Sequence, residues 1–202
     1  MNVTLVASLI SAASGLLVVL VGAVIVPIIR EHLTRNRDAR YLAIRIVCIL
    51  DRYVEDCAST AIDSGEENAE GVNESRVSAP LPPAYPSDVN WKSIDHTMMY
   101  KLLALPASAD RAANYVESAS ENASPPDYSE WFEARSHQYS LLGLQAHKLT
   151  EILRKEYEIP EIEDRSWDPV SHLRDELQKI EEWHKRRAVM WEPPPPPTPP
   201  TA

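Results

Sequence analysis

The first thirty residues have a different pattern of apolar and polar positions from the rest of the chain. Residues 3–29, bounded by Val3 and Ile29, contain no charged side chain and are mostly apolar. A helix of about 20 apolar residues crosses the hydrocarbon core of a bilayer, which is about 30 Å thick. A helix over this whole run would be about 40 Å long, enough to cross with some tilt. The pattern therefore predicts one transmembrane helix in an anchor segment, residues 1–30.

A cleaved signal peptide is the alternative for such a beginning, and the flanking residues argue against it. A signal peptide has basic residues before an apolar core of about 7–15 residues, whereas no Lys or Arg precedes this longer core. Four arginines follow it and form a basic collar: Arg30, Arg35, Arg37 and Arg40. Since Lys and Arg favour the cytoplasmic side, we expect an outside N-terminus and a cytoplasmic C-terminal domain, held at the cell membrane (the inner membrane in a bacterium).

Small residues recur at four-residue spacing inside the predicted membrane helix. Ala7, Ser11 and Gly15 would lie on one face of it. Such ladders let two membrane helices approach closely, so these residues are candidates for helix–helix contact and homo-oligomer formation. The alternative is that small residues simply occur in any spanning helix.

Beyond the anchor, the apolar pattern changes to a helical period. Residues 31–62 carry apolar side chains three and four positions apart, which predicts a juxtamembrane and first soluble helix that fades near Asp63. Residues 63–90 then lose all periodicity and contain four prolines. We expect a disordered, flexible loop there, because such a segment buries little apolar surface to offset its ordering entropy. A functional lid is the alternative.

Residues 91–191 regain helical periodicity and predict a helical domain. A short helix should stop before Pro106, a second should run from there to about Asn122, and a long helix should cover residues 127–157. Asp168 as N-cap and Pro169 in the first turn predict the start of the last helix. The long helix carries a candidate packing stripe: Phe132, Tyr139, Leu142, Leu149 and Leu153.

Together these patterns predict an all-α fold, with one transmembrane helix followed by a bundle of four or five amphipathic helices. Seven of the last ten residues are proline, so residues 192–202 should form a disordered tail of polyproline character. That tail is either a spacer or a ligand for an aromatic-lined groove in a partner.

Charge excludes one class of function. The net charge is −10, and the window from Arg30 to Arg45 holds five arginines against two acidic residues, which is +3. The remainder therefore carries −13, since −10 − 3 = −13. Phosphate binding needs Lys and Arg, so we expect no nucleic-acid partner, whereas the collar suits the headgroups of a lipid bilayer.

The familiar catalytic motifs are missing from the sequence, and we expect no cofactor, no metal and, on balance, no enzyme. Glu133 with His137, and His147 with Glu151, are spaced to share a helical face, but a metal site in a bundle needs ligands from facing helices. Arg135 interrupts the apolar stripe of the long helix. It must reach solvent, form an ion pair, or anchor a ligand.

The leading hypothesis from sequence is a membrane-tethered cytoplasmic helical module that recruits a protein partner, whose identity the sequence does not give. Two alternatives remain open. One is a ligand-sensing or enzymatic bundle with a pocket near Arg135, His137 and Tyr139. The other is a structural subunit of a membrane complex.

Overall fold

The computed structural model describes residues 23, 25–162 and 166–190, the last three as main chain only. Most of the predicted anchor therefore lies outside the described residues, together with its Ala7, Ser11 and Gly15 ladder and the proline-rich tail. Among the helices of the described residues, none is long and apolar enough to cross a membrane.

The described residues are mostly helical, which confirms the predicted all-α class. Helix α1 covers Val26–Ala61, α2 covers His96–Asn122, α3 covers Ser129–Tyr157 and α4 covers Pro169–Met190. Helix α3 is central, since it packs against each of the other three, and α1 also packs against α4. Two residue pairs form a short antiparallel hairpin between α1 and α2, with β1 at Glu66–Glu67 and β2 at Asn73–Glu74.

Helix α1 is continuous from the end of the predicted anchor into the bundle. It begins within the apolar run and ends after Ala61, close to the predicted end. Its buried residues repeat at three- and four-residue steps, as the sequence pattern indicates. The fully buried members are Leu42, Ala43, Ile46, Leu50, Cys57 and Ala58.

Helix α2 is one helix, so the predicted break at Pro106 was wrong. The helix starts at Asp95, whose Oδ2 accepts hydrogen bonds from the N–H groups of Thr97 and Met98 at 2.8 and 3.0 Å. Pro106 removes one backbone hydrogen bond from the interior. The same face stays buried on both sides of it, with Leu102 and Leu105 before and three residues after: Ala109, Ala112 and Val116. That shared burial holds the two halves in one helix.

The last two helices begin and end close to where their sequence signals indicate. Helix α3 ends at Glu158, a left-handed residue (φ 52°) whose N–H donates to the Arg154 carbonyl. Asp168 is the N-cap of α4, as predicted, because its Oδ1 accepts from the N–H groups of Val170 (3.0 Å) and Ser171 (3.3 Å).

The helices do not alternate in direction. Asp63 after α1 contacts Arg135 early in α3, and Asp51 contacts Arg154 late in α3, so α1 and α3 are antiparallel. Asp95 before α2 lies near Tyr157 at the end of α3, and His184 late in α4 contacts Glu133 early in α3. Helices α2 and α4 are therefore also antiparallel to α3, and parallel to α1. We call the end of the bundle near Ala39 the entry end and the end near Ala61 the far end.

Two parallel helices in succession need a long connection, and residues 62–95 provide it. This crossover returns along α1 from the far end to the entry end. Its contacts follow α1 backwards: Ser78 lies by Thr60, Asp88 by Arg45, Asn90 by Asp38 and Ser93 by Arg35. Between the first and last contact α1 rises about 38 Å at 1.5 Å per residue. The crossover covers that span in fifteen steps, about 47 Å at the polyproline rise, so it must run nearly extended.

The prolines of the crossover suit this extended course. Pro83 is buried, and Tyr85, Val89 and Trp91 pack against the core. The mobility predicted for residues 63–90 stays a prediction, but the segment buries more apolar surface than its lack of periodicity indicates.

Candidate interaction surfaces

The first described part of α1 stands clear of the bundle. Every described residue from 25 to 37 is exposed, and the first buried residue is Ala39. We call residues 25–37 the stalk. Its apolar side chains are about half exposed, at 51% for Ile28, 52% for Ile29 and 55% for Leu33. Large apolar side chains on all sides of an isolated helix are unfavourable in water, so this segment is suited to an apolar environment at its outer end.

The collar arginines lie on the stalk or directly below it. Arg30, Arg35, Arg37 and Arg40 are all exposed. The Nε of Arg35 also donates to the Ser93 carbonyl at 3.5 Å, which ties the base of the stalk to the end of the crossover. The collar thus surrounds the helix where it leaves the bundle.

Arg135 forms a buried ion pair with Asp63. Its Nη1 lies 2.9 Å from Asp63 Oδ2, with the two side chains 3% and 2% exposed, and its Nη2 donates to the Val77 carbonyl. Asp63 also accepts from the N–H groups of Gly65 (3.1 Å), Arg76 (2.9 Å) and Val77 (3.0 Å). The sequence left three possibilities for Arg135: reaching solvent, forming an ion pair or anchoring a ligand. The structure shows the ion pair.

The electrostatics of this pair favour a charged carboxylate. Burial alone would raise the pKa of Asp63, but the hydrogen bond from the Val77 N–H and the Arg135 guanidinium outweigh it and lower that pKa below its ordinary value. The pair fastens the start of the crossover to α3. Since the guanidinium is held by Asp63 and Val77, its role in the described structure is to fix the chain.

The other two residues of the predicted Arg135 pocket have different surroundings. His137 is partly buried, whereas Tyr139 is 2% exposed and belongs to the core. Tyr139 neighbours Cys57 and Tyr53, and burial raises the pKa of all three side chains. Their environment is apolar packing between α1 and α3.

The candidate packing stripe of α3 is used inside the bundle. Tyr139, Leu142, Leu149 and Leu153 are buried in the common core, and Phe132 is partly buried at the end of the stripe. Gly143, next to the stripe, lets three helices approach: a Cβ there would lie 2.6 Å from Leu173 of α4 and 3.0 Å from Cys57 of α1. Most of this stripe is therefore covered, and any contact with another protein would use a different surface.

An apolar groove at the far end of the bundle provides such a surface. It lies between the end of α1, the first turns of α3 and the second half of α4, and has a volume of about 490 Å³. Ile62 and Trp183 are 40% and 42% exposed in it, and Ile180 is 8% exposed. We call it the far-end groove. Its apolar lining is Ala61, Ile62, Phe132, Ile180 and Trp183.

The aromatic side chains of the groove are held in place by their neighbours. The guanidinium of Arg187 lies 4.5 Å from the centre of the Trp183 ring, and Phe132 packs edge-to-face on Trp131 at 4.7 Å. Rim side chains make contacts within the chain: Glu133 contacts His184, and Glu176 forms an ion pair with Lys179. The groove is thus an apolar surface whose acidic rim side chains already have partners within the chain.

The spaced histidines do not meet in a metal site. Glu133 pairs with His184 of α4 rather than with His137, while His147 lies 3.6 Å from Glu151 as the spacing predicts. Across the part of the chain that the structure describes, no three His, Cys, Asp or Glu side chains converge as metal ligands.

Comparison with known proteins adds no relative. The chain matches no family model, no curated protein and no solved structure. The sequence pattern did not predict the far-end groove, because its walls come from three separate segments, residues 61–64, 129–136 and 176–186. Only the apolar Phe132 and Trp183 at helix edges hinted at it.

Proposed function

We propose that this chain is a single-pass membrane protein whose helical bundle recruits a protein partner at the cytoplasmic face. The observation that carries the proposal is the stalk. It is the first part of a helix that runs without interruption from Val26, near the end of an apolar run long enough to cross a bilayer, into the folded bundle.

The collar supports the proposed orientation. Four exposed arginines surround the stalk and the top of the bundle, where a cytoplasmic leaflet would present anionic headgroups. With the stalk in the membrane interface, the far-end groove faces away from the bilayer. It lies about 33 Å below the entry end, the length of the 22 helical steps from Ala39 to Ala61.

The recruiting surface in this proposal is the far-end groove. Most of the apolar stripe of α3 is buried in the core. The groove, in contrast, has exposed aromatic and aliphatic side chains in a concave site. Aromatic residues in apolar concavities are typical anchors of protein–protein contacts. An exposed position facing the cytosol makes this end accessible to a soluble partner.

The two cysteines allow a test of the orientation without any engineered label. Cys48 is exposed on α1, whereas Cys57 is buried and burial raises the pKa of its thiol. We expect a membrane-impermeant maleimide to label the native chain in permeabilised cells but not in intact cells, with Cys48→Ser as the control that removes the signal. Labelling of Cys48 in intact cells would overturn the proposed topology.

Membrane attachment is measured on the same cells. The full chain should stay in the membrane pellet after alkaline carbonate extraction, and a chain that begins at residue 31 should be released. A full chain that is extracted by carbonate contradicts the anchor.

A further inference from the structure

The far-end groove lies at the end of the molecule from which the proline-rich tail continues. The last described residue of α4 is Met190, at the far end, and Trp183 lies seven residues earlier on the same helix, about 10 Å back along its axis. Residues 191–202 follow directly. Any surface on this part of α4 is therefore within reach of the tail.

The length of the tail is sufficient to cover the groove. Twelve residues span about 37 Å at the polyproline rise of 3.1 Å per residue. Two of them, Trp191 and Glu192, precede the first proline and can reverse the chain. The remaining ten reach about 31 Å, three times the distance from Met190 back to Trp183.

The chemistry of the groove also matches the tail. Polyproline segments dock on aromatic-lined grooves, where the rings pack against proline faces, and Trp183 and Phe132 supply aromatic rings here. Proline offers carbonyl acceptors and no N–H donor. The groove contains two hydrogen-bond donors, the indole N–H of Trp183 and the hydroxyl of Ser136. The buried hydroxyl oxygen of Ser136 has no hydrogen-bond partner among the described residues.

The absence of charged side chains in the proline-rich part of the tail also suits the groove. Residues 193–202 carry no charged side chain, and two acidic side chains of the rim, Glu133 and Glu176, already contact His184 and Lys179. An uncharged ligand therefore leaves those pairs intact. A basic or acidic peptide would have to compete with them.

We propose that the proline-rich tail, residues 191–202, docks in the far-end groove of its own chain and blocks that groove until a partner displaces it. The regulatory part of this inference rests on the proposed function, because the tail can block a partner only if both bind the far-end groove. The docking itself needs neither a membrane nor a partner and is measured on the purified chain alone.

Tethering makes the docking strong even when the contact is weak. A short flexible linker gives an effective concentration on the order of 1 mM. If the free tail peptide binds with a Kd of about 100 μM, an attached tail occupies about nine-tenths of the grooves. The apparent affinity of a competing peptide then falls about tenfold.

The experiment compares two purified full-length chains in mild detergent solution, the native one and one with serine in place of the seven tail prolines. A fluorescent peptide of residues 191–202 is titrated into each and its anisotropy is recorded. We expect the peptide to bind the serine-tailed chain about tenfold more tightly than the native chain. Equal binding to both, or no binding to either, would overturn self-docking.

Groove variants of the serine-tailed chain locate the binding. Ile62→Lys and Trp183→Ala should abolish peptide binding, whereas Tyr100→Ala, at a 73% exposed position of α2 near the entry end, should leave it unchanged. Circular dichroism confirms that each variant is folded. A loss with Tyr100→Ala, or none with the other two, rules out the far-end groove as the site.

A concentration series separates a chain's own tail from that of a neighbour. The native chain should resist the peptide to the same degree at all dilutions, because the competing tail is attached. If resistance disappears on dilution, the tail comes from a second copy and the intramolecular proposal is wrong. Loss of membrane anchoring in the topology test would leave these binding results unaffected, so the two proposals fail separately.

Discussion

The buried ion pair between Arg135 and Asp63 shows how a single polar contact organises a long connection. Two charges with side chains 3% and 2% exposed are costly to desolvate, and they persist because the carboxylate also accepts three backbone N–H groups. The pair fixes the first turn of the crossover against α3. Its contribution lies in position as well as in stability.

Replacing Asp63 should destabilise the chain strongly. Asp63→Asn leaves the Arg135 guanidinium buried and unpaired, which costs about 3–5 kcal/mol in other buried pairs. Chemical denaturation followed by circular dichroism measures the loss. Asp88→Asn is the matched control, because Asp88 pairs with Arg45 at the exposed surface, where salt bridges contribute little. Similar losses for both variants would contradict the special role of the buried pair.

The same pair makes stability depend on pH in the acid range. The folded-state pKa of Asp63 is below its ordinary value of 3.8, so the stabilisation is complete above that value and is lost as the pH falls through the folded-state pKa. The stability difference between the native chain and Asp63→Asn should therefore be largest at neutral pH and should narrow below about pH 4. A difference that does not change with pH would count against a charged Asp63.

What the sequence could predict at this scale is the kind of contact, not the partner. Arg135 on an apolar stripe has few physical options, and the ion pair was one of them. Its partner lies 72 residues away, in a segment without periodicity. Tyr139 likewise could be placed on a stripe, but whether the stripe faced a pocket or the core depended on which helices covered it.

At the scale of the elements, periodicity and capping residues predicted most of the helices. The ends of α1, α3 and α4 lie within a few residues of their sequence signals. The exception is α2, because Pro106 predicts the end of a helix there. A local signal worth about 3 kcal/mol was outweighed by the burial of six apolar side chains on one continuous face.

Removing that proline should stabilise α2. Pro106→Ala restores a backbone donor and improves helix propensity, and the greater freedom of the unfolded chain offsets part of the gain. We expect an increase of about 1–2 kcal/mol in the free energy of unfolding, seen as a higher midpoint in urea. Pro169→Ala, at the first position of α4 where no backbone bond is missing, should give no increase. An unchanged or lower midpoint for Pro106→Ala would show that the packing of α2 depends on the proline itself.

At the scale of the whole molecule, helix directions decide the architecture, and periodicity does not encode them. It marks the buried face of a helix without saying which neighbour covers it. Because α1 and α2 are parallel, residues 62–95 must connect the far end of the bundle to its entry end, although their sequence pattern indicates no regular structure. The far-end groove was unpredictable for the same reason, because its walls meet only after α1, α3 and α4 have found their relative directions.

The length of the crossover should be critical in one part and not in another. From Ser78 to Ser93 it must span about 38 Å, and removing residues 79–83 leaves ten steps, which reach at most about 36 Å. We expect this deletion to abolish cooperative thermal unfolding. Removing residues 67–71 from the hairpin shortens the chain equally but spares that span, so it should shift the Tm only slightly. Equal tolerance of both deletions would contradict the extended course.

Helix α1 contains no glycine or proline between Pro27 and its last residue, Ala61. The stalk and the wall of the far-end groove are thus parts of one rigid rod without a hinge. If the outer end of α1 rotated about the helix axis or moved along it, the wall of the groove would move by the same amount. With 3.6 residues per turn, one extra residue in the stalk would rotate the whole bundle by about 100° about the axis of α1, relative to the residues before the insertion. The direction in which the groove faces is thus set by the number of residues above it.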